Sequence, residues 1–484
     1  MRLSFPKPGF WIFAWVALLP LFLALENRKP LKAFLLSFIC GAVFFITTVF
    51  WLVNVTAIGM VVLALYLALY VALFGLIFAL LKNRFVFLQR MFYFPAVWVS
   101  LEFARGHFFT GMPWALLGNG QAPYLLAIQA ADIVGAYGVS FMVVFVNLFI
   151  FELLAARLNK KSLGFRHLSV CICVILLWFG YGAFRLSQDP KKSCYFRVAV
   201  IQGNIPQEIK WVPDFKDNIF RKHCLLTEIV SLKEFPDMVV WPETSYPNYL
   251  TLGVDDQALK EFASSNGVPL LAGSITLKDG HYFNSAILFS EKGEITGSYD
   301  KIHLVPFGEF IPWRRIFPFL ASIVPIEDFT RGRDFGVFPI TSDHCPRFNF
   351  SVLICFEDIF GDLARRFVLR GSDVLINMTN DAWFEDSSSP YQHMQASVLR
   401  AVENRTIVVR AANTGVSCFI DDTGRVYKKV SDAKGKPVFV TGYASAWIYK
   451  TDRSAIYTRI GDVFALICVF YAMIIFAWGV KSRR

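Results

Sequence analysis

Three short fragments hold residue types that could do nucleophilic chemistry. VVWPET holds Glu243, YDKIHLVPFGEF holds Lys301 and Glu309, and VLICFED holds Cys355 and Glu357. A base, a cation and a thiol are the components of a cysteine nucleophile that passes through an acyl-enzyme. Cys355 ends an apolar strand and precedes a helix start. Such a turn aims N–H groups and a positive helix end at the sulfur, and both lower a thiol's pKa. Taken alone, Cys355 also reads as a buried structural cysteine, but its acidic neighbours argue against that. Glu243 follows Trp241 and Pro242. A carboxylate in so apolar a setting has a raised pKa, suited to taking a proton from a thiol and returning it to a leaving group. It also reads as a strand-end cap or an ion-pair partner. Lys301 would stabilise a thiolate and an oxyanion, or else is a solvated surface lysine. Glu309 would hold Lys301 charged and oriented, or form a plain salt bridge. Glu357 would order the turn around Cys355, contact substrate, or simply be an acid at a helix start.

The elements that position these residues lie in segment 187–456, which reads as an α/β domain. Apolar, β-rich runs cover 196–202, 237–243, 268–274, 284–290, 350–357, 373–379 and 406–413. Helical patterns cover 217–233, 255–266, 359–370 and 391–404. Continuous apolar strands point to sheets covered on both faces. EKGE at 291–294 and DDTG at 421–424 mark hairpin turns.

The rest of the chain is of another kind. Of 484 residues 55% are hydrophobic, and 50 are phenylalanine. That composition belongs to an integral membrane protein. Apolar runs at 10–25, 31–53, 58–81, 91–105, 131–156, 168–186 and 457–479 approach the length needed to span a bilayer. The run at 91–105 is short and carries Glu102 and Arg105. The first run lacks a small-residue cleavage site and reads as a retained helix rather than a signal peptide. The net charge of +11 sits largely in short loops, which indicates topology rather than nucleic-acid binding. Arg28, Lys29 and Lys32, then Lys82, Arg84 and Arg90, then Arg157, Lys160, Lys161 and Arg166, and finally Lys481, Arg483 and Arg484 occupy alternate loops and the tail. Basic loops stay cytoplasmic. The division is therefore a bundle of about six spans over 1–186, an extracytoplasmic catalytic domain over 187–456, and a last helix with a basic cytoplasmic tail over 457–484. The seven histidines show no metal spacing, so neither metal nor cofactor is expected. Cys194, Cys224, Cys345, Cys355 and Cys418 lie in the polar region, where spacing leaves any disulfide open.

The three blocks, in this order over 196–445, resemble the nitrilase superfamily. KIHLVPFGEFIP, TNDAWF at 379–384 and QGNIPQEIKW at 202–211 are similar to its membrane-bound branch, the apolipoprotein N-acyltransferases. The resemblance implies a multi-pass helical membrane domain joined to a nitrilase-like αββα sandwich. It implies a Glu243–Lys301–Cys355 triad, with the Phe356 N–H completing an oxyanion hole. It also implies ping-pong transfer of a fatty acyl chain from a phospholipid, through a cysteine thioester. The acceptor would be the α-amino group of the S-diacylglyceryl-cysteine that begins an apolipoprotein, on the outer side of a bacterial inner membrane. Two features differ from the family. Eight helices are usual where this chain has seven apolar runs, so a first helix is expected to be missing; Tyr is common where Phe356 stands.

The stretch 311–329 is unusually apolar for a loop. Trp313, Phe317 and Phe319 would dip into the outer leaflet as a lid while Arg314 meets phosphates, or the stretch packs as a core insertion. Trp211 would line a substrate channel or merely pack. The rival function is a membrane-tethered amidase or hydrolase in which water replaces the amine. A transporter is disfavoured by the scarcity of charges within the apolar runs.

Overall fold

The structure, a computed structural model, describes residues 1–160, 162–251, 254, 256–312, 314, 328–342 and 344–481. The chain forms two units: Met1–Asp189 with Ser387–Asn404 and Ser454–Arg484, and Pro190–Asp386 with Arg405–Arg453.

Among the described residues of the first unit, four helices are long and apolar enough to cross a bilayer: Pro30–Thr48, Ala57–Arg84, Ala131–Leu158 and Phe165–Ser187. The first and last apolar runs form the shorter helices Trp11–Leu25 and Val463–Gly479. The weak run at 91–105 lies within a helix, Phe87–His107, whose Glu102 and Arg105 are buried. Both find partners, as polar groups in an apolar bundle must. Glu102 accepts from the Trp98 indole and the Leu117 N–H, each at 3.0 Å, and Arg105 donates to the carbonyls of Met112 and Trp114.

The observed division departs from the sequence reading at one helix. Ser389–Asn404 falls within 187–456 but belongs to the first unit. Its Gln392 accepts from the indoles of Trp51 and Trp114 and donates to the Thr48 carbonyl. Its Glu403 accepts from the Ala136 N–H at 2.8 Å. That N–H follows Gly135, whose φ of 67° breaks the helix Ala131–Leu158. A broken helix leaves N–H groups without intrahelical partners, and the carboxylate supplies one. An amphipathic pattern shows that a helix buries one face, not which core receives it.

The described residues of the second unit form two sheets. Its strands are β1 (Lys192–Gln202), β2 (Met238–Val240), β3 (Tyr249–Leu250), β4 (Leu270–Lys278), β5 (His281–Phe289), β6 (Ile295–Asp300), β7 (Phe338–Ser342), β8 (Cys345–Ile354), β9 (Val374–Thr379), β10 (Ile407–Ala412), β11 (Cys418–Ile420), β12 (Val426–Lys429) and β13 (Gly442–Thr451). One sheet has the order β13-β1-β2-β4-β5-β6, with β3 on β4; the other has the order β12-β11-β10-β9-β8-β7. The central neighbours β1, β2 and β4 are parallel, as are β8, β9 and β10, and the two expected turns close the hairpins β5–β6 and β11–β12. Helices Lys216–Glu234 and Gln257–Asn266 bury Val230, Leu259 and Ala263 against the first sheet, and Gly361–Leu369 packs on β9. This is the layered α/β architecture the sequence suggests.

The sheets meet where Phe196 of β1 stacks on Phe348 of β8, with centroids 5.4 Å apart. Beside that contact, Cys194 and Cys345 form a disulfide across a sequence separation of 151 residues. It pins the start of β1 to the start of β8. Closing so long a loop stabilises a fold by about 2–5 kcal/mol. Replacing both cysteines with serine should lower the thermal midpoint of the detergent-solubilised protein, and an unchanged midpoint would show that the staple is dispensable.

Candidate active site

Strand ends from both sheets converge on one buried cluster. Cys355 is the first residue after β8 and opens a 3-10 turn, Cys355–Ile359. Its φ is 56°, a left-handed conformation that costs a non-glycine residue roughly 1–2 kcal/mol. Two side chains hold the turn. Asn377 of β9 donates to the carbonyls of Leu353 and Cys355, at 3.2 and 2.8 Å. Glu357 is fully buried and accepts from the N–H groups of Ile354, Ile302 and His303 at 2.7–2.8 Å and from the Tyr299 hydroxyl at 3.0 Å. Glu357 therefore ties the cysteine turn to the segment that carries Lys301. Of the readings open at the sequence level, the geometry matches ordering of the turn. Burial raises its pKa from 4.5 to about 7, against the pull of the surrounding donors.

Lys301 directly follows β6 and is buried. Its Nζ donates to Glu309 Oε1 at 2.8 Å and lies 3.5 Å from Glu243 Oε1. Burial alone would lower its pKa, but Glu309, then Glu243 and Cys355, outweigh that and hold it above the usual lysine value. Asn284 of β5 donates to both acids, to Glu243 Oε1 at 2.8 Å and to Glu309 Oε1 at 2.9 Å. The Asn380 N–H, just past β9, donates to Glu243 Oε2 at 2.8 Å. The Glu243 carboxylate thus sits among donors rather than in the apolar setting its neighbours in sequence suggest. Trp241 provides the apolar part: it is fully buried, donates to Thr227 at 2.8 Å, and anchors the strand end from behind.

The expectation of an acidified thiol is overturned. Burial first, and the charge of Glu243 second, push the Cys355 pKa well above the ordinary thiol value, with Lys301 pulling the other way. The turn after Cys355 is only five residues long, so the dipole of a long helix is missing. A thiol held this way rests protonated and needs a base. Phe356 follows in the same turn, its ring 5.7 Å from the Lys301 ammonium. At the second position of a 3-10 turn its N–H has no intrahelical acceptor.

The remaining expectations fare differently. Trp211 stacks on Tyr249, with centroids 6.3 Å apart, and Tyr249 packs on Tyr282. Arg314 pairs with Asp328 at 3.1 Å rather than standing unpaired. Trp313, Phe317 and Phe319 lie outside the described residues. Among the described residues no group of three or more His, Cys, Asp or Glu is placed to hold a metal ion. Asn284 and Asn380 were missed. The signal for Asn284 was a lone amide at the head of an apolar run, and that for Asn380 was the TNDAWF string. Also missed was Arg410 of β10, fully buried, which donates to Asp358 at 2.7 Å and lies 4.0 Å from Asp381.

Residues 197–442 match the carbon-nitrogen hydrolase family, and residues 1–149 match the apolipoprotein N-acyltransferase N-terminal domain. The apolipoprotein N-acyltransferase of Geobacter metallireducens is 37% identical, with 100% of this chain and 94% of that protein aligned. The chain belongs to the apolipoprotein N-acyltransferase family. A further apolipoprotein N-acyltransferase, from Photobacterium profundum, is 29% identical over 95% of this chain and 89% of its own length. Among solved structures, an amidase from Nesterenkonia sp. aligns at 16% identity and a TM-score of 0.39, over 54% of this chain and 94% of that one.

Two outcomes follow for this member of the acyltransferase family. Asn284→Ala removes a donor shared by two carboxylates. Hydrogen bonds to charged groups contribute about 1.5–3 kcal/mol, so the rate of Cys355 modification should fall roughly 10–100-fold; an unchanged rate would make Asn284 a bystander. Glu357 has a folded pKa raised from 4.5 to about 7, so its contribution to stability is fully present below 4.5 and is lost as pH rises towards 7. Glu357→Gln should flatten that slope in denaturant titrations run at several pH values, and an equally steep slope would exclude Glu357 as its source.

Proposed function

We propose that this chain transfers a fatty acyl group from a phospholipid to the N-terminus of diacylglyceryl-modified apolipoproteins, by a ping-pong route through a thioester on Cys355. The observation that carries this is the buried, hydrogen-bonded Glu243–Asn284–Glu309–Lys301 cluster beside Cys355. Family membership supplies the acyl acceptor class.

In the first half-reaction Glu243 takes the thiol proton, and the Cys355 sulfur bonds to the carbonyl carbon of a phospholipid acyl ester. Lys301 and the Phe356 N–H face the oxyanion that forms. As the ester C–O bond breaks, Glu243 returns its proton to the departing lysophospholipid oxygen. In the second half-reaction the acceptor's neutral amine attacks the thioester, Glu243 accepts the amine proton, the C–S bond breaks, and the proton returns to sulfur. Glu309 and Asn284 touch no reacting atom; they hold Lys301 and Glu243 in place. The thioester reacts with an amine rather than water only where the site keeps water out.

Two observations support a location on the outer side of the bacterial inner membrane. Basic loops alternate with loops free of Lys and Arg in a pattern that leaves the catalytic unit outside. The Cys194–Cys345 disulfide fits an oxidising compartment.

Intact-protein mass spectrometry after incubation with phospholipid in detergent tests the route. Wild type should gain a fatty-acyl mass that hydroxylamine removes and a diacylglyceryl-cysteine peptide discharges, and Cys355→Ala should gain none. An adduct that decays in water at the same rate with or without the peptide would make the protein a hydrolase.

A further inference from the structure

Lys210 stands beside these groups with no part in the mechanism above. It belongs to the QGNIPQEIKW string and is 2% exposed. Its Nζ donates to Thr244 Oγ1 at 2.6 Å and to the Glu243 carbonyl at 3.3 Å. Both acceptors are neutral. Among the described residues no carboxylate oxygen lies within hydrogen-bond reach of this ammonium. A buried cation without a counter-charge is strongly disfavoured, so the compensating charge must sit close by without direct contact.

Counting charges identifies it. Lys301 and Glu309 form one neutral pair at 2.8 Å. Two further acids act on the Cys355 turn, not on Lys210. Asp381 lies 4.0 Å from Arg410, which also pairs with Asp358 at 2.7 Å, and Glu357 is surrounded by N–H donors. His223, on the helix Lys216–Glu234, donates to the Ile219 carbonyl, and burial holds its pKa down to about 4, so it carries no charge at neutral pH. The negative charge that acts on Lys210 is held by Glu243 before proton transfer and by Cys355 after it. Those are the two charges Lys210 senses: burial lowers its pKa to about 8, and Glu243 and then Cys355 pull it upward, so it is still a cation at neutral pH.

The backbone keeps this arrangement rigid. Thr244 has a φ of 45°, which a non-glycine residue adopts only when held. On one side Gly273 packs so closely that a Cβ there would come within 2.3 Å of the Pro242 carbonyl and 2.7 Å of the Thr244 nitrogen. On the other side Lys210 bonds the same peptide. The ammonium therefore cannot move away from Glu243 without breaking the turn that presents the carboxylate.

We propose that Lys210 is a positioning residue that acts through Glu243, as the counter-charge of the single anion that moves between Glu243 and Cys355. With it in place, Lys210 and Lys301 face two negative charges, one on Glu309 and one shared by Glu243 and Cys355, both before and after proton transfer. Without it, each state carries one more uncompensated buried negative charge, and the thiolate becomes harder to form. The inference rests on the reading of Glu243 as the base for Cys355.

The test is the pH dependence of Cys355 alkylation by iodoacetamide, followed by mass spectrometry on the full-length protein in detergent. Wild type, Lys210→Met, Lys210→Arg and Glu243→Gln are compared, with thermal midpoints measured in parallel. Removing a nearby positive charge should move the alkylation midpoint of Lys210→Met upward by about one pH unit or more. That corresponds to roughly tenfold slower alkylation at neutral pH. Lys210→Arg keeps the charge and should stay near wild type. Lys210→Gln makes the same test if Lys210→Met does not fold. A wild-type midpoint in the uncharged variants, or an equal shift in Lys210→Arg, would overturn the inference, because only packing would then be at stake. If Glu243→Gln leaves the curve in place, the reading of Glu243 as base fails and the inference falls with it. If Glu243→Gln moves the curve and Lys210→Met does not, the inference alone fails.

Discussion

Everything in the second unit depends on burying the Lys301 ammonium. A lone charge in a protein interior costs several kcal/mol, and the cost is met only when opposite charges and hydrogen bonds surround it. Here Glu309 and Glu243 supply the charge, and Asn284 links the two acids. Each comes from a different place: Glu309 from a loop, Glu243 from beyond β2, Asn284 from β5. The chain must bring them together before the lysine can be buried, so the cluster is a condition of the fold as well as the candidate site.

The same logic extends to the cysteine turn. Cys355 adopts a left-handed conformation that its own side chain does not favour. Glu357 collects donors from both sides of the turn, and Arg410 reaches Asp358 from β10. The half-buried thiol has its pKa pushed up, by burial first and by the charge of Glu243 second, which favours the protonated form over a standing thiolate. A protonated resting thiol also limits wasteful oxidation, which follows thiolate character.

In the first unit, polar groups are handled by pairing within an apolar bundle. Glu102, Arg105, Gln392 and Glu403 each meet an indole, a carbonyl or a backbone N–H. The break at Gly135 is tolerated because Glu403 satisfies the exposed amide that follows it. Where apolar surroundings offer no water, such bonds are closed by protein.

Much of this was legible in the sequence, because period and composition are local properties. The seven strands expected between 196 and 413 and the four helices between 217 and 404 all form, and both hairpin turns fall where EKGE and DDTG stand. Glu243, Lys301, Glu309, Cys355 and Glu357 could be named because charged or nucleophilic residues at the ends of apolar runs are unusual. Tertiary structure alone decided the rest. The helix Ser389–Asn404 reads the same whichever core receives it, and it joined the first unit. The sign of the Cys355 pKa shift depends on how deeply packing buries the sulfur, not on the residues beside it in the chain. Asn284, Asn380 and Lys210 are ordinary polar residues until folding sets them beside Glu243, because hydrogen bonds and charge compensation act over ångströms in space and leave no period in the sequence.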